Sequence, residues 1–177
     1  MTYRAEEISN YVFKSTDKLL LDTNVWLFIH GPSKPADKRT AVYSGAYRRM
    51  LAAKSTLCID VLIASEFVNA YARLRHKLLS PRIDFKQFRK SAAFKPIASA
   101  IAADLERVLR HCVRMESGFD KLDINAILNE YGKGDSDFND QVLVDLCKRN
   151  DLKLVTHDGD FRGLGITVVT ANRHLLI

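Results

Sequence analysis

The sequence lacks the features that define several common classes of protein. Its three cysteines, Cys58, Cys112 and Cys147, include no Cys-x-x-Cys pair, so zinc ribbons and thioredoxin-like redox chemistry are unsupported. No apolar run approaches the roughly 20 residues of a membrane-spanning helix, and the N-terminus has no signal-peptide core. Widely spaced cysteines among apolar neighbours predict buried, reduced thiols. We therefore expect a cytoplasmic protein with no membrane partner.

Nucleotide and histidine chemistry also lack support. No Gly-x-x-x-x-Gly-Lys-Ser/Thr loop occurs that would cradle a nucleotide phosphate. An aspartyl-phosphate hydrolase commonly has a second Asp two residues after its nucleophile, whereas Asn24 stands two residues after Asp22. The five histidines form no matched pair. His157, beside Asp158, is a candidate base, although a residue at a strand end is the simpler interpretation.

What the sequence does contain fits one globular domain over residues 1–177. Its composition, 47% hydrophobic and 27% charged, is that of a chain with an ordinary core. The net charge of +6 attracts polyanions, which makes nucleic acid a candidate partner. Mild basicity is also common in proteins that bind no nucleic acid, so the net charge alone does not show that this protein binds it.

Short apolar runs alternate with helical spacing along the chain. The predicted strands are 18–22, 56–59, 152–156 and 166–169, and the predicted helices are 24–30, 39–54, 60–79, 84–94, 97–112, 123–131 and 140–150. Turns are predicted at Ser80-Pro81, Lys95-Pro96 and Ser117-Gly118. The apolar stripe of helix 60–79 is predicted to be Ile63, Phe67, Ala70, Tyr71, Leu74 and Leu78. This alternation predicts an α/β fold with a short, mostly parallel central sheet flanked by helices.

Two acids follow predicted strands. Asp22 comes directly after Leu19-Leu20-Leu21, and Asp158 lies just past strand 152–156. In a parallel sheet both would project at the carboxyl edge, where sites form. Ordinary structural roles are available to each, because Asp22 can cap the next helix and Asp158 can occupy a turn.

A third acid, Glu66, lies inside the helix 60–79. Together with Asn69 and Arg73 it forms a polar seam beside the apolar face of that helix. A solvated glutamate is the alternative interpretation.

A fourth acid, Asp140, stands at the start of a helix, where a negative charge suits the helix dipole. However, Asp135, Asp137 and Asp140 crowd three acids into six positions, and one cap needs only one of them. A bound cation would relieve their repulsion. No Lys or Arg occurs within 19–29, 60–71 or 134–147 to do so. Oxygen-only carboxylate sites suit Mg²⁺ or Mn²⁺.

At this point the sequence resembles the PIN-domain nucleases, in particular the VapC-type toxins of toxin–antitoxin pairs and their relatives. Four segments carry the resemblance: Leu19-Leu-Leu-Asp-Thr-Asn24, Ile63-Ala-Ser-Glu-Phe67, Asp137-Phe-Asn-Asp-Gln-Val-Leu-Val144 and Leu154-Val-Thr-His-Asp-Gly-Asp-Phe161. Each segment is short, but their order and separation extend the likeness over nearly the whole chain.

The resemblance implies a Mg²⁺- or Mn²⁺-dependent endoribonuclease that hydrolyses RNA phosphodiester bonds, most simply as the toxin of a type II pair. Its catalytic metal ligands would be Asp22, Glu66, Asp140 and Asp158, with Asp137 and Asp160 as further metal candidates, Asn24 and Thr156 in support, and Asn69 and Arg73 as candidate RNA contacts. Whether Asp158 or Asp160 is the closer ligand is left open. RNA, a cognate antitoxin and a second copy of the chain are the implied partners.

The chain departs from a compact toxin through a helical insert at about 80–134. The insert is basic, and its role is open. It could bind RNA, bind an antitoxin, form a dimer interface or simply present a solvated surface. Two other functions also stay open: an RNA-processing nuclease that is not a toxin, and a non-catalytic RNA-binding or scaffold module. The presence of all four acids argues against the second.

Overall fold

The computed structural model describes residues 3–32, 37–79, 82–134 and 137–176. Asp135, the predicted turn at Ser80-Pro81 and positions 33–36 lie outside these residues. The strands are β1 (Arg4–Glu7), β2 (Lys18–Leu21), β3 (Thr56–Asp60), β4 (Cys112–Met115), β5 (Lys153–Val155) and β6 (Thr167–Thr170). The helices are α1 (Thr23–His30), α2 (Lys38–Ala52), α3 (Val61–Leu79), α4 (Phe85–Lys90), α5 (Phe94–His111), α6 (Ile124–Gly132) and α7 (Phe138–Asn150).

Within the described ranges the strands form one sheet in the order β1-β6-β5-β2-β3-β4, and all the pairings are parallel. The predicted α/β fold with a parallel sheet is therefore confirmed. Leu20 pairs with Cys58 on one side and with Leu154 on the other, so β2 lies between β3 and β5. The carboxyl ends of these three strands consequently lie side by side.

The core forms around the middle strands. Leu19, Leu20 and Leu21 of β2 are completely buried, as expected of a continuous apolar run in a parallel sheet covered on both faces. Trp26 of α1 and Leu146 of α7 join the same core cluster. Cys58 and Cys147 are buried free thiols, as predicted, whereas Cys112 is only half-buried.

The prediction of four strands missed β1 and β4, the two edges of the sheet. β1 has the sequence Arg-Ala-Glu-Glu, which carries no apolar run because an edge strand is covered less than a central one. β4 follows α5 directly at Cys112, with no Gly or Pro between them. The sequence therefore contained no signal that a strand began there, and Cys112 was wrongly included in the predicted helix.

The predicted turn at Lys95-Pro96 is wrong, because α5 already begins at Phe94. Pro96 lies in the first turn of α5, where the backbone N–H groups have no helical partner and a proline removes nothing. The chain turns instead between the end of α4 at Lys90 and Phe94. The predicted turn around Gly118 is present, with a left-handed φ of 66°.

Only half of the predicted apolar stripe of α3 is buried. Ile63, Phe67 and Tyr71 are buried, whereas Leu74 and Leu78 are 38% and 59% exposed. The N-terminal half of α3 therefore packs on the core and its C-terminal half extends from it. No helix among the described residues is long and apolar enough to cross a membrane.

Candidate active site

The candidate site lies at the carboxyl edge of the sheet, where the chain leaves β2, β3 and β5. Asp22 follows β2 and is the N-cap of α1. Glu66 lies in the second turn of α3, which continues directly from β3. Asp158 follows β5. The topology therefore places at one edge of the sheet three acids that are up to 136 positions apart in the sequence.

Asp22 is the buried centre of the site, with 6% of its surface exposed. Its Oδ1 accepts a hydrogen bond from the backbone N–H of Thr23 at 2.6 Å. Its Oδ2 accepts from the Thr156 hydroxyl at 2.6 Å and from the Asn24 amide. Burial, opposed by these hydrogen bonds and reinforced by Glu66 and Asp158, raises the pKa of Asp22 to about 6. Asp22 is thus both a helix cap and a carboxylate whose charged form burial disfavours, so the two interpretations are compatible.

Thr156 is the hub that holds Asp22 in place. Its hydroxyl is fully buried and donates to Asp22 while it accepts from the Asn24 amide at 3.1 Å and from the backbone N–H of Asp158 at 3.0 Å. The Asn24 side-chain oxygen in turn accepts from the backbone N–H of His157 at 3.1 Å. The two residues predicted to support the site therefore form one network around it.

Glu66 is fixed to the site through a residue that the sequence did not single out. The Thr23 hydroxyl donates to Glu66 Oε2 at 2.9 Å, while the Thr23 backbone N–H donates to Asp22. Thr23 thereby contacts the carboxylates of both Asp22 and Glu66. Glu66 itself is exposed, so the acidic group opens to solvent on this side.

Asp140 approaches from α7. Asp137 is the N-cap of that helix and accepts from the backbone N–H of Asn139 at 2.8 Å, which leaves the Asp140 side chain free of the capping role. Among the residues described, none donates a hydrogen bond to Asp140. Burial, followed by the negative charges of Asp22 and Asp158 and then those of Asp137 and Asp160, raises the pKa of Asp140 to about 7.

Asp158 contributes to the raised pKa of two of the other acids, and Asp160 contributes to that of one. The charge of Asp158 acts on both Asp22 and Asp140, whereas Asp160 acts on Asp140 and is the weakest of the four carboxylates that do so. Asp158 also caps a short 3₁₀ turn, because its Oδ1 accepts from the backbone N–H of Asp160 at 3.1 Å. One oxygen of Asp158 is thus used locally.

The donor set fits a hard divalent cation by its chemistry. Over the described ranges, no three His, Cys, Asp or Glu side chains lie close enough together to hold one ion. Carboxylates repel one another at short range, and no cationic side chain is among the influences that set the pKa of Asp22 or Asp140. Oxygen donors that carry uncompensated negative charge are those that Mg²⁺ and Mn²⁺ prefer.

The side chains of three further residues that the sequence suggested do not contact Asp22 or its hydrogen-bond partners. Asn69 donates to the backbone oxygen of Ser65 at 2.9 Å, one turn earlier in α3. The Arg73 guanidinium lies over the ring of Phe85, 4.7 Å from its centre. His157, the candidate base, faces Tyr43, and burial and then Arg39 lower its pKa.

Tyr43 is a supporting residue that sequence reasoning missed. Its buried hydroxyl contacts the backbone oxygen of Thr156 at 3.1 Å and His157 Nδ1 at 3.0 Å, and it accepts from the backbone N–H of Ala171 at 3.1 Å. The Asn172 amide also donates to the backbone oxygen of His157 at 2.8 Å. Together these contacts hold Thr156 and His157 in position. Nothing in the local sequence around Tyr43 indicated this role.

The fold is an α/β domain with acidic side chains at the carboxyl edge of its parallel sheet. The family model of the PIN domain matches residues 19–166, and the chain belongs to this family, whose members are generally nucleases. The chain is similar in fold to one in the crystal structure of VapBC2 from Rickettsia felis bound to a DNA fragment from their promoter. That match has a TM-score of 0.57 and 14% identity, and covers 86% of this chain and 98% of the other. Among curated proteins none matches this chain.

Proposed function

We propose that this protein is a Mg²⁺- or Mn²⁺-dependent endoribonuclease and the toxin of a toxin–antitoxin pair. The observation that carries the proposal is the acidic group at the sheet edge, in which Thr156 holds Asp22 and Thr23 contacts both Asp22 and Glu66. Burial, and then the neighbouring acids, raise the pKa of Asp22 and of Asp140. Membership of the PIN domain family supports nuclease chemistry at this site. The fold likeness to VapBC2 supports an antitoxin partner.

In this proposal Asp22, Glu66, Asp140 and Asp158 would hold the metal, with Asp137 and Asp160 as further candidates. A bound divalent ion lowers the pKa of water and offsets the charge of the scissile phosphate. The protein's own contribution is to orient the acids. Thr156 and Asn24 hold Oδ2 of Asp22, and Thr23 holds Glu66. Such outer contacts commonly change metal affinity or activity 10- to 100-fold when they are removed.

We expect chelation to abolish cleavage. Incubation with EDTA should reduce the cutting of a labelled RNA to background, and Mn²⁺ or Mg²⁺ should restore it. Because an ion that binds only the folded state stabilises it, the same ions should raise the melting temperature, by an amount that grows with ion concentration. Calorimetry or thermal fluorescence measures this shift without relying on activity. Cleavage that persists in EDTA would contradict the metal mechanism.

A toxin should stop growth when it is produced alone. We expect induction of the wild-type chain in a bacterial host to arrest growth, and induction of Asp140→Asn at equal protein level to leave growth unchanged. Where a small reading frame adjoins this gene, its co-expression should relieve the arrest, and arrest that persists would count against a toxin–antitoxin pair. Growth arrest by both chains alike would show that toxicity does not come from the carboxylate site. Normal growth with an active nuclease would indicate RNA processing instead.

A further inference from the structure

The basic excess of the chain is concentrated in one region. Residues 73–103 contain eight Lys or Arg and a single acid, Asp84, which is a net charge of +7. The remaining 146 residues contain 19 Lys or Arg and 20 Asp or Glu, a net charge of −1. The whole formal charge of +6 therefore comes from the end of α3, from α4 and from the start of α5. We call this the basic region: Arg73, Arg75, Lys77, Arg82, Lys86, Arg89, Lys90 and Lys95.

The cations of the basic region are not neutralised by neighbouring acids. Elsewhere, Arg4, Arg39, Arg107, Lys133, Arg149 and Lys153 each form an ion pair. Within the described part of the chain, none of the eight cations of the basic region does so, and seven of them are exposed. Asp84 caps α4 through the backbone N–H of Lys86. Unpaired like charges repel, and a polyanion would convert this repulsion into binding energy.

Helix α3 connects the basic region to the carboxylates. Residues seven and eleven positions apart share one face of a helix, so Glu66, Arg73 and Lys77 form a row along α3. At 1.5 Å per residue the row is roughly 16 Å long, from the acid that contacts Thr23 to the cation at the far end. Arg73 is held against α4 by the ring of Phe85. The row therefore runs from the acidic site into the basic region.

An apolar groove of about 280 Å³ opens on the same part of the molecule, between α3 and α5. Val68, Ala72, Phe94 and Ile101 line it, and Arg89 of the basic region is also in its wall. An unpaired base can place its apolar face against such a surface, whereas a base within a duplex is already stacked and paired. This groove favours single-stranded over duplex nucleic acid.

We propose that the basic region binds single-stranded RNA that extends from the carboxylate site along α3. The assignment of this RNA as a substrate rests on the proposed endoribonuclease function. The basic region then supplies affinity through phosphate contacts, while the acids supply the chemistry. An RNA fragment too short to reach beyond Glu66 should gain nothing from the basic region.

The test compares two triple variants that remove the same charge from different places. One carries Lys86→Gln, Arg89→Gln and Lys90→Gln in α4, and the matched control carries Lys14→Gln, Lys121→Gln and Lys148→Gln, three exposed lysines elsewhere. Binding to a fluorescein-labelled oligouridine on the order of 12 nucleotides long is measured by anisotropy in EDTA, so that no cleavage occurs. Circular dichroism and melting temperature establish that both variants are folded.

We expect the α4 variant to bind at least about tenfold more weakly, with a slope of log affinity against log salt that is smaller by about 2, since three phosphate contacts to a single strand are lost. The control should stay within about twofold of the wild type. A duplex of equal length should bind more weakly than the single strand. Equal losses in the two variants, or a duplex bound as tightly, would overturn the inference.

Two further outcomes separate this inference from its rivals. If the α4 variant loses binding to vesicles of phosphatidylcholine and phosphatidylglycerol but keeps its RNA affinity, the region is a lipid-binding surface and the inference is wrong. If the wild type binds RNA through α4 but never cuts it with Mn²⁺ present, the proposed nuclease function fails while the RNA-binding surface stands. If both triple variants cleave long RNA at equal rates, the basic region does not bind the substrate and the inference is wrong, whereas the proposed nuclease function stands.

Discussion

Asp140→Asn should abolish cleavage and at the same time stabilise the metal-free protein. Asparagine keeps the shape of the side chain but removes the charge that a cation needs, so we expect the cleavage rate to fall by about 100-fold or more, which corresponds to several kcal/mol of lost stabilisation. No described residue donates a hydrogen bond to Asp140, so the amide breaks no contact that the carboxylate makes. Initial rates on labelled RNA with Mn²⁺ in excess measure the loss.

The gain in stability follows from the raised pKa of Asp140, which is about 7 in the folded chain against 3.8 as the ordinary value. The folded state holds this proton more tightly than the unfolded state, so stability is lost as pH rises from about 4 through 7. Because Asp140 is only half-buried, solvent screening leaves about 1 kcal/mol of this penalty. At pH 8 in EDTA the variant should therefore melt roughly 2–4 °C above the wild type. Near pH 4 the difference should disappear.

Two other variants test whether position matters. Asp145→Asn lies on the same helix but removes an acid that pairs with Arg149, so it should keep wild-type cleavage and gain no stability at pH 8. Asp22→Asn should lose cleavage but also lose stability. Its amide would place an N–H group against the donors of Thr156 and Asn24. A stable, active Asp140→Asn protein would remove Asp140 from the site.

The acids proposed for the site could be picked out in the sequence because each has a distinctive local context, and their role as metal ligands stays a prediction. Asp22 directly follows an apolar run, and Asp140 is one of several acids with no cation nearby in the chain. The roles of Thr23 and Tyr43 could not be predicted in this way. Thr23 contacts Glu66 across 43 positions, and Tyr43 contacts Thr156 across 113. Such contacts depend on the order of strands in the sheet, which local patterns do not encode.

The secondary structure, too, was predicted where local sequence determines it and missed where distant contacts do. The strands β2, β3, β5 and β6 were predicted because burial on both faces requires a continuous apolar run. β1 and β4 were missed because an edge strand needs fewer apolar residues and depends on its one neighbour. Pro96 misled the prediction because the rule that a proline ends a helix fails in the first turn. The exposed half of α3 was also missed, since Leu74 and Leu78 continue its apolar spacing beyond the core.

Thr156→Val should weaken both the site and the fold, because one buried hydroxyl serves three groups. Valine has nearly the same shape, but it cannot donate to Asp22 or accept from Asn24 and from the backbone N–H of Asp158. Leaving buried polar groups without partners costs about 1–3 kcal/mol. We expect a comparable loss in the free energy of unfolding, measured by urea titration at pH 8 in EDTA.

The same change should reduce the cleavage rate about 10- to 100-fold and raise the Mn²⁺ concentration needed for half-maximal rate, as is typical when an outer contact of a metal ligand is removed. Thr156→Ser is the matched control, since it keeps the hydroxyl and loses only a methyl group. It should recover the Mn²⁺ dependence of the wild type even if it is somewhat less stable. If Thr156→Val lowers stability but leaves the Mn²⁺ dependence unchanged, Thr156 supports the fold alone. The orientation of Asp22 would then not limit the chemistry.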